Sequence, residues 1–408
     1  MDTTRRTLLR GMAAAPFAAA AGGLLVPETA YAAAPPKATV VMKGGVDGFL
    51  PWADASDRLR STWTAATLAQ VLTTATQQGT VVGDWDDREG AKNTVPEPFG
   101  FRYGFGWDGG RRAPDKTWDR RSNWYPQGIT TTYDGYGEPL EGRSVVAVSW
   151  YAKGDGFEDR GARVSFVDVT GGPASPRYQH VLLVEPVQSS KAGAKPSFRP
   201  VSIHAGGMAW AGNFLYIANR PGETTHVRRG GMSVFDVSKL IKVTGRGKER
   251  AYGYDYLLPL HHIYENARGS RLLHSQLSLD RTRSTGVSLV VSEFRESTAQ
   301  GVAARWEVDD RTGYIKRGEA DESWWLGTRY VQGAVSVGED AYYSANDRSA
   351  PGKLQGNLWR HKGRTGGPAF LGKLSKGPED LSYEPVDGRS LWALGEHKHL
   401  RRVYRVRV

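Results

Sequence analysis

Between Gln127 and the C-terminus the chain repeats one three-part phrase five times. Each copy opens with a small or polar pair before an apolar residue: Gln127-Gly128-Ile129, Gly206-Gly207-Met208, Ser275-Gln276-Leu277, Gln332-Gly333-Ala334 and Glu379-Asp380-Leu381. A run rich in β-branched and aromatic residues follows, such as Phe214-Leu215-Tyr216-Ile217-Ala218-Asn219, and it ends in a polar group. A third run, such as Met232-Ser233-Val234-Phe235-Asp236, closes the copy. One such unit cannot bury its own apolar face, so units of this kind stack. All-strand units at this period predict an all-β fold, a β-propeller with five recognisable blades.

The first 32 residues stand outside that pattern. Thr4-Arg5-Arg6-Thr7-Leu8-Leu9-Arg10 is a twin-arginine pattern, Met12 to Val26 is weakly apolar, and Ala30-Tyr31-Ala32 is a small-x-small cleavage site. The order predicts a Tat export signal cut before Ala33, and a secreted, extracellular product. The apolar stretch is too short and too rich in Ala and Gly for a membrane span, and no other segment suits one. Cysteine is absent, which excludes disulfides and thiolate metal sites. A formal net charge of +11 draws an exported protein to anionic surfaces, so the expected partner is a polysaccharide or cell-wall glycan. Nucleic acid is not expected, because there is no Lys/Arg run and no reading module. The chain is expected to act as a monomer.

Residues 33–98 read as an N-terminal extension and 99–408 as the propeller. In the extension, 38–42 has strand character, and Leu68, Val71, Leu72 and Ala75 fall at helical spacing with Gly79 as a stop. The polar, Pro-broken stretch 84–98 reads as a loop. Phe99 to Trp107 alternates aromatic with small or basic residues, a strand pattern. The fifth copy ends at Val408 without room for an outer strand. The strand at 99–107 therefore has a predicted place as the outer strand of the last blade, which closes the ring and leaves no open edge. The alternative is a degenerate sixth blade from 38–107.

In a propeller the start of the innermost strand and the end of the second share one face. The repeat therefore gathers Gln127, His204, His274, Gln332 and Glu379 with Trp150, Tyr151, Asn219, Arg220, Glu293, Arg295, Asn346, Asp347, Arg348, Glu396 and His397 around one mouth. His204 and His274 are the acid/base candidates, because imidazole exchanges protons near neutral pH. Glu293 with Glu379 or Glu396 offers the two carboxylates of a glycosidase. Arg220, Arg295 and Arg348 suit a carboxylate or phosphate. Gln127 and Gln332 add hydrogen bonds, and Trp150 and Tyr151 offer flat rings for a sugar face. No cofactor is expected; the alternative is a divalent metal held by His, Gln and Glu379. The His261-His262 pair is placed at the rim or in packing, and His397 and His399 as a surface pair. Asp134-Gly135 and Asp340 read as turn chemistry. No Gly-x-Ser-x-Gly elbow, Walker loop, dinucleotide fingerprint or His-Glu-x-x-His motif occurs.

The run His204-Ala-Gly-Gly-Met-Ala-Trp-Ala-Gly-Asn-Phe-Leu-Tyr-Ile-Ala, with Gly230-Gly-Met-Ser-Val-Phe-Asp-Val and Ser149-Trp-Tyr-Ala-Lys-Gly, resembles a family of secreted actinobacterial proteins of unknown activity. The resemblance spans about residues 99–408. It implies a propeller-type fold and export, and it carries over no catalytic residue. The combined expectation is a secreted carbohydrate-directed protein, a glycoside hydrolase or polysaccharide lyase working on acidic glycans at the mouth. The alternatives are a non-catalytic glycan or cell-wall binder and a lactonase-type metal enzyme.

Overall fold

The computed structural model describes residues 33–43, 51–82, 97–107, 123–154, 160–172, 176–187, 195–223, 226–348, 355–386, 388–398 and 400–408. The expected export signal, most of the expected loop at 84–98 and His399 lie outside the described residues. Among the described residues no helix is long and apolar enough to cross a membrane.

The chain is mostly β, and each copy of the phrase folds into an antiparallel meander. The first meander is Trp124–Thr131, Val145–Ala152, Ala162–Asp168 and Arg177–Val187. The second is Met208–Ala211, Phe214–Asn219, Gly231–Asp236 and Tyr256–Asn266. Gln276–Asp280, Ser288–Ser292, Val302–Glu307 and Glu322–Trp325 form the third. Val331–Val337, Asp340–Asn346, Gln355–His361 and Ala369–Lys376 form the fourth. The last brings Pro378–Glu384, Ser390–Gly395 and Arg402–Arg407 together with Phe101–Gly106. In that final pairing Arg402 lies opposite Gly106 and Arg405 opposite Tyr103, so the closing strand comes from far upstream. The first and second meanders are also joined edge to edge by a short parallel pairing, Leu257 opposite Leu182.

The innermost strands touch in a ring: Trp124–Thr131 against Met208–Ala211, then Gln276–Asp280, Val331–Val337, Pro378–Glu384 and back to Trp124–Thr131. This gives a propeller-like arrangement with its core between the sheets. The opening pair of the phrase has a steric meaning there. Its second residue is Gly128, Gly207, Gln276, Gly333 or Asp380; at the three glycines a Cβ would run into a neighbouring inner strand, and the Asp380 carboxyl reaches two. A Cβ on Gly207 would sit 2.1 Å from the Leu277 nitrogen, and one on Gly128 2.6 Å from the Gly206 oxygen. Only a residue without a side chain permits that approach.

Trp107 seals the seam between the last and first sheets. It packs edge-on against Trp150 (4.7 Å between centroids) and Tyr178 (5.0 Å), and is itself buried. Such packing removes a large apolar area from water and fixes the closing strand in place.

The short strands between residues 40 and 81 are distributed over these sheets, with Gln77–Gln78 on Arg177–Val187 of the first. Val40–Lys43 pairs with the outer strand Tyr256–Asn266, and Thr80–Val81 with Phe101–Gly106. A helix at Pro51–Thr62 lies on Tyr256–Asn266, where Ser56 Oγ donates to the Leu260 carbonyl at 2.8 Å. The helical spacing at Leu68 yields Leu68–Thr73, opened by a Thr67/Gln70 capping box. It ends at Thr74, before Gly79, because a short Thr-rich segment gains little from extending.

At the end where the inner strands finish, the short helix Thr132–Tyr136 closes the ring. Asp134 is buried there and accepts from Thr130 Oγ1 (2.7 Å) and Ser382 Oγ (2.6 Å). Arg281 from the third sheet donates to the carbonyls of Asp134 (2.6 Å) and Gly135 (2.7 Å). The segment read as turn chemistry is thus a buried joint between three sheets. His261 and His262 are likewise buried, with Nδ1 atoms 3.0 Å apart and rings packed against Phe214.

Candidate functional site

At the opposite end the inner strands begin and the second strands finish. The polar residues at these strand ends meet there. Glu379 opens its inner strand and is buried, and Gln332 Nε2 from the next sheet donates to its Oε1 at 3.0 Å. Glu396 follows the second strand of the same sheet, and Gln127 Nε2 donates to its Oε2 at 3.0 Å. Each carboxyl therefore holds one carboxamide from a different sheet.

The two acids have unequal surroundings. Burial lifts the Glu379 carboxyl well above the usual carboxylate range; the charge of Glu396 adds to this, and Arg220 opposes it. Glu396 is also raised by burial, but the Gln127 hydrogen bond and the charges of Arg401, Lys153 and His397 pull it back. A buried carboxyl prefers its neutral form, and nearby cations restore the ionised one. The Tyr151 phenol is raised as well, by burial and then by the charges of Glu396 and Glu379.

His204 lies on Tyr151, with ring centroids 4.2 Å apart. Burial, then the charges of Arg220 and Lys153, pushes its imidazole down to about 3. It is therefore a neutral imidazole at pH 7 and not an imidazolium acid. The backbone at Ala205 is left-handed, φ 50°, which is costly for a residue with a Cβ. Its carbonyl accepts from Ser149 Oγ at 2.9 Å, a bond that holds this turn beneath the mouth.

A third acid stands at the edge. The Arg220 N–H donates to Glu223 Oε2 at 3.0 Å, and burial pushes the Glu223 carboxyl up to about 7. Tyr125 lies 5.5 Å from Tyr151 between ring centroids, with the Arg401 guanidinium 4.5 Å from its own.

The structure thus brings Gln127, Tyr151, His204, Arg220, Gln332, Glu379 and Glu396 together. The remaining sequence candidates have other surroundings. His274 is buried, pushed down to about 4 by burial, with its ring stacked on Trp306 at 6.4 Å. Neither His204 nor His274 has the near-neutral titration expected of a proton donor, because desolvation disfavours imidazolium. Glu293 is buried and fully engaged: Arg295 Nη2 donates to Oε1 (2.9 Å) and Nε to Oε2 (3.1 Å), while the N–H groups of Leu273 and Val302 donate at 2.9 Å each. Glu293 and Arg295 therefore hold loops in place. Trp150 is fully buried, donates to Ser165 Oγ at 2.7 Å and has the Arg163 guanidinium 4.9 Å from its ring, so it offers no face to a sugar. Arg348 lies over Tyr330, 5.7 Å from its centroid.

Sequence reasoning missed Lys153, Glu223 and Arg401. Lys153 lies two residues past Tyr151 and Glu223 three past Arg220, so reading the strand-end positions onward into the following loops reaches both. Among the described residues no three His, Asp or Glu side chains gather as a metal-binding group.

No family model matches the chain, and no curated protein matches it. Solved structures similar in outline include a β-xylosidase, at 8% identity and a TM-score of 0.37, covering 69% of this chain and 91% of that one. Another is the GH43_1 enzyme from Xanthomonas citri complexed with xylotriose, at 8% identity and TM-score 0.35, covering 70% of this chain and 88% of that one. A mutant levansucrase from Bacillus subtilis matches at 8% identity and TM-score 0.36, covering 70% of this chain and 85% of that one. Likenesses this weak decide nothing about substrate or reaction, which must come from the residues themselves.

Proposed function

We propose that the chain is an exported five-bladed propeller, with its blades in 99–408, that cleaves glycosidic bonds of an acidic glycan at the mouth. The observation that carries this reading is the pair Glu379 and Glu396: two buried carboxyls, each held by a carboxamide, in unequal electrostatic surroundings. Glycoside hydrolysis needs one carboxylic acid to protonate the leaving oxygen and one carboxylate to activate water or attack the sugar. Environments that push two carboxyls apart assign those roles.

Glu379, the more deeply buried, is the acid. Its neutral form is favoured by burial and by the neighbouring Glu396 charge. Glu396, facing Arg401, Lys153 and His397, is the carboxylate. Gln332 and Gln127 fix the two groups in orientation. Tyr151 and Tyr125 supply ring faces, and Arg220 and Lys153 supply positive charge for a uronate carboxylate. Export follows from the twin-arginine pattern and cleavage site at 1–32.

The test uses the secreted chain on polygalacturonate, alginate, hyaluronan and neutral xylan, with release of reducing ends as the readout and with EDTA in a parallel arm. Release from an acidic polymer that persists in EDTA and vanishes in Glu379→Gln and Glu396→Gln is expected. Retention on a polymer with no release, or release indifferent to both substitutions, overturns the reading.

A further inference from the structure

A second cluster lies on the same face as the mouth, on the fourth sheet. The loop leading into strand Val331–Val337 and the residues after strand Asp340–Asn346 enclose a cleft of about 230 Å³ lined by Thr328, Arg329, Tyr330, Asn346, Arg348 and Trp359. Two guanidiniums converge on one ring: Arg329 lies 5.6 Å and Arg348 5.7 Å from the Tyr330 centroid. Among the described residues neither arginine forms an ion pair with a carboxylate. The acid in the cleft, Asp347, is already neutralised by Lys373 Nζ at 2.8 Å. The two exposed guanidiniums repel each other through solvent, and an anion set between them relieves that repulsion.

The cleft is built to hold its shape. Tyr330 has a left-handed backbone, φ 59°, which a bulky aromatic residue adopts only when its neighbours impose it. They do so here: the Tyr330 N–H donates to the Arg295 carbonyl at 2.8 Å, and its own carbonyl accepts from the Asn346 N–H at 3.1 Å. Arg295 is in turn locked to buried Glu293. The Glu293–Arg295 pair, set apart from the mouth, thus acts as the brace of this cleft. Two residues beyond Tyr330, Gln332 reaches Glu379, so the cleft and the mouth share one strand.

We propose that this cleft is an anion subsite that takes the carboxylate of a uronic acid residue in a glycan chain running from the mouth across the fourth sheet. The proposal rests on the reading of the mouth as a glycan site, and it names the charged group the substrate carries. Arg329 and Arg348 hold the carboxylate oxygens, and Tyr330 keeps the two guanidiniums in place by cation–π contact.

The experiment measures binding, with turnover removed, by calorimetry on the full secreted chain carrying Glu379→Gln. The probes are trimers of galacturonate, mannuronate and glucuronate, their methyl esters, and a sulfated disaccharide. At least one acidic trimer is expected to bind tenfold or more tighter than its ester. Arg329→Gln with Arg348→Gln should erase that difference, and Arg348→Lys should restore only part of it, since an ammonium lacks the planar fork. Unchanged binding in the double variant with the native melting curve, no binding of any acidic trimer, or preference for the sulfated sugar alone overturns the proposal. The outcomes separate from those of the mouth: arginine-dependent binding without any turnover in the native chain removes the catalytic reading and leaves the subsite, whereas Glu379-dependent turnover with arginine-independent binding does the reverse.

Discussion

The backbone N–H of Met208 donates to Asp380 Oδ2 at 2.9 Å across a sequence separation of 172 residues. The same oxygen accepts from the Ile129 N–H at 3.2 Å. One carboxyl thus ties three inner strands at the point where the other copies carry glycine or glutamine. It is fully buried, and burial raises it well above the ordinary range. It stands next to Glu379 in the chain, so the ring and the site share a fixed point.

Removing that carboxyl leaves two buried N–H groups without an acceptor. Each unmet group costs about 1–3 kcal/mol. Asp380→Ala should therefore destabilise the chain by about 2–6 kcal/mol in urea unfolding. Asp380→Asn keeps an acceptor oxygen and should cost less than half as much. Equal losses in the two variants contradict this role.

Asp134 makes stability depend on pH. Burial, its largest influence, pushes its carboxyl up from 3.8 to about 7, against the hydrogen bonds from Ser382 and Thr130. The folded state then binds the proton more tightly than the unfolded state. The sign follows: the contribution is complete below about pH 4 and is lost as pH rises toward 7. A gap of this size corresponds to on the order of 4 kcal/mol. Asp134→Asn should flatten the fall in unfolding free energy between pH 4 and 7; an unaltered slope counts against the buried neutral acid.

The glycines of the repeat phrase predict a contrast. A Cβ at Gly207 would lie 2.1 Å from the Leu277 nitrogen and 2.3 Å from Gln276 Cα, both backbone atoms that cannot move alone. At Gly171 a Cβ meets nothing within 4 Å. Gly207→Ala should cost more than about 3 kcal/mol or prevent folding, whereas Gly171→Ala should stay within about 1 kcal/mol. Thermal melts of the two proteins side by side decide it.

The proposed chemistry predicts a bell-shaped pH profile. Activity needs Glu379 protonated and Glu396 ionised, and both are raised by burial, Glu379 more strongly. Both limbs should therefore lie above the usual carboxylate range near 4. Replacing Lys153 with Met removes a charge that holds Glu396 down, and should move the acidic limb upward. A limb that shifts downward, or not at all, would refute the assignment of Glu396 as the carboxylate.

The β character was legible in the chain, because enrichment in β-branched and aromatic residues is a local property that the strand backbone reads directly. Runs such as Phe214–Asn219 and Ser288–Ser292 could hardly form anything else. Strand order pointed to Gln127, Gln332, Glu379 and Glu396, but the same rule also picked His274, Glu293 and Arg348, which packing and ion pairing draw into other surroundings. The distribution of the strands between residues 40 and 81 over three sheets was not, because pairings such as Val40 with Asn266 and Gln77 with Tyr178 follow no local pattern.

The sequence by itself determined which residues stand at the ends of strands, and hence which polar groups are available on one face. Tertiary structure decided what those groups are chemically. Gln127 meets Glu396 across 269 residues, and His204 loses its proton to burial beneath Tyr151. Charge state depends on solvent and neighbours, and both are assigned only when distant segments close around a side chain.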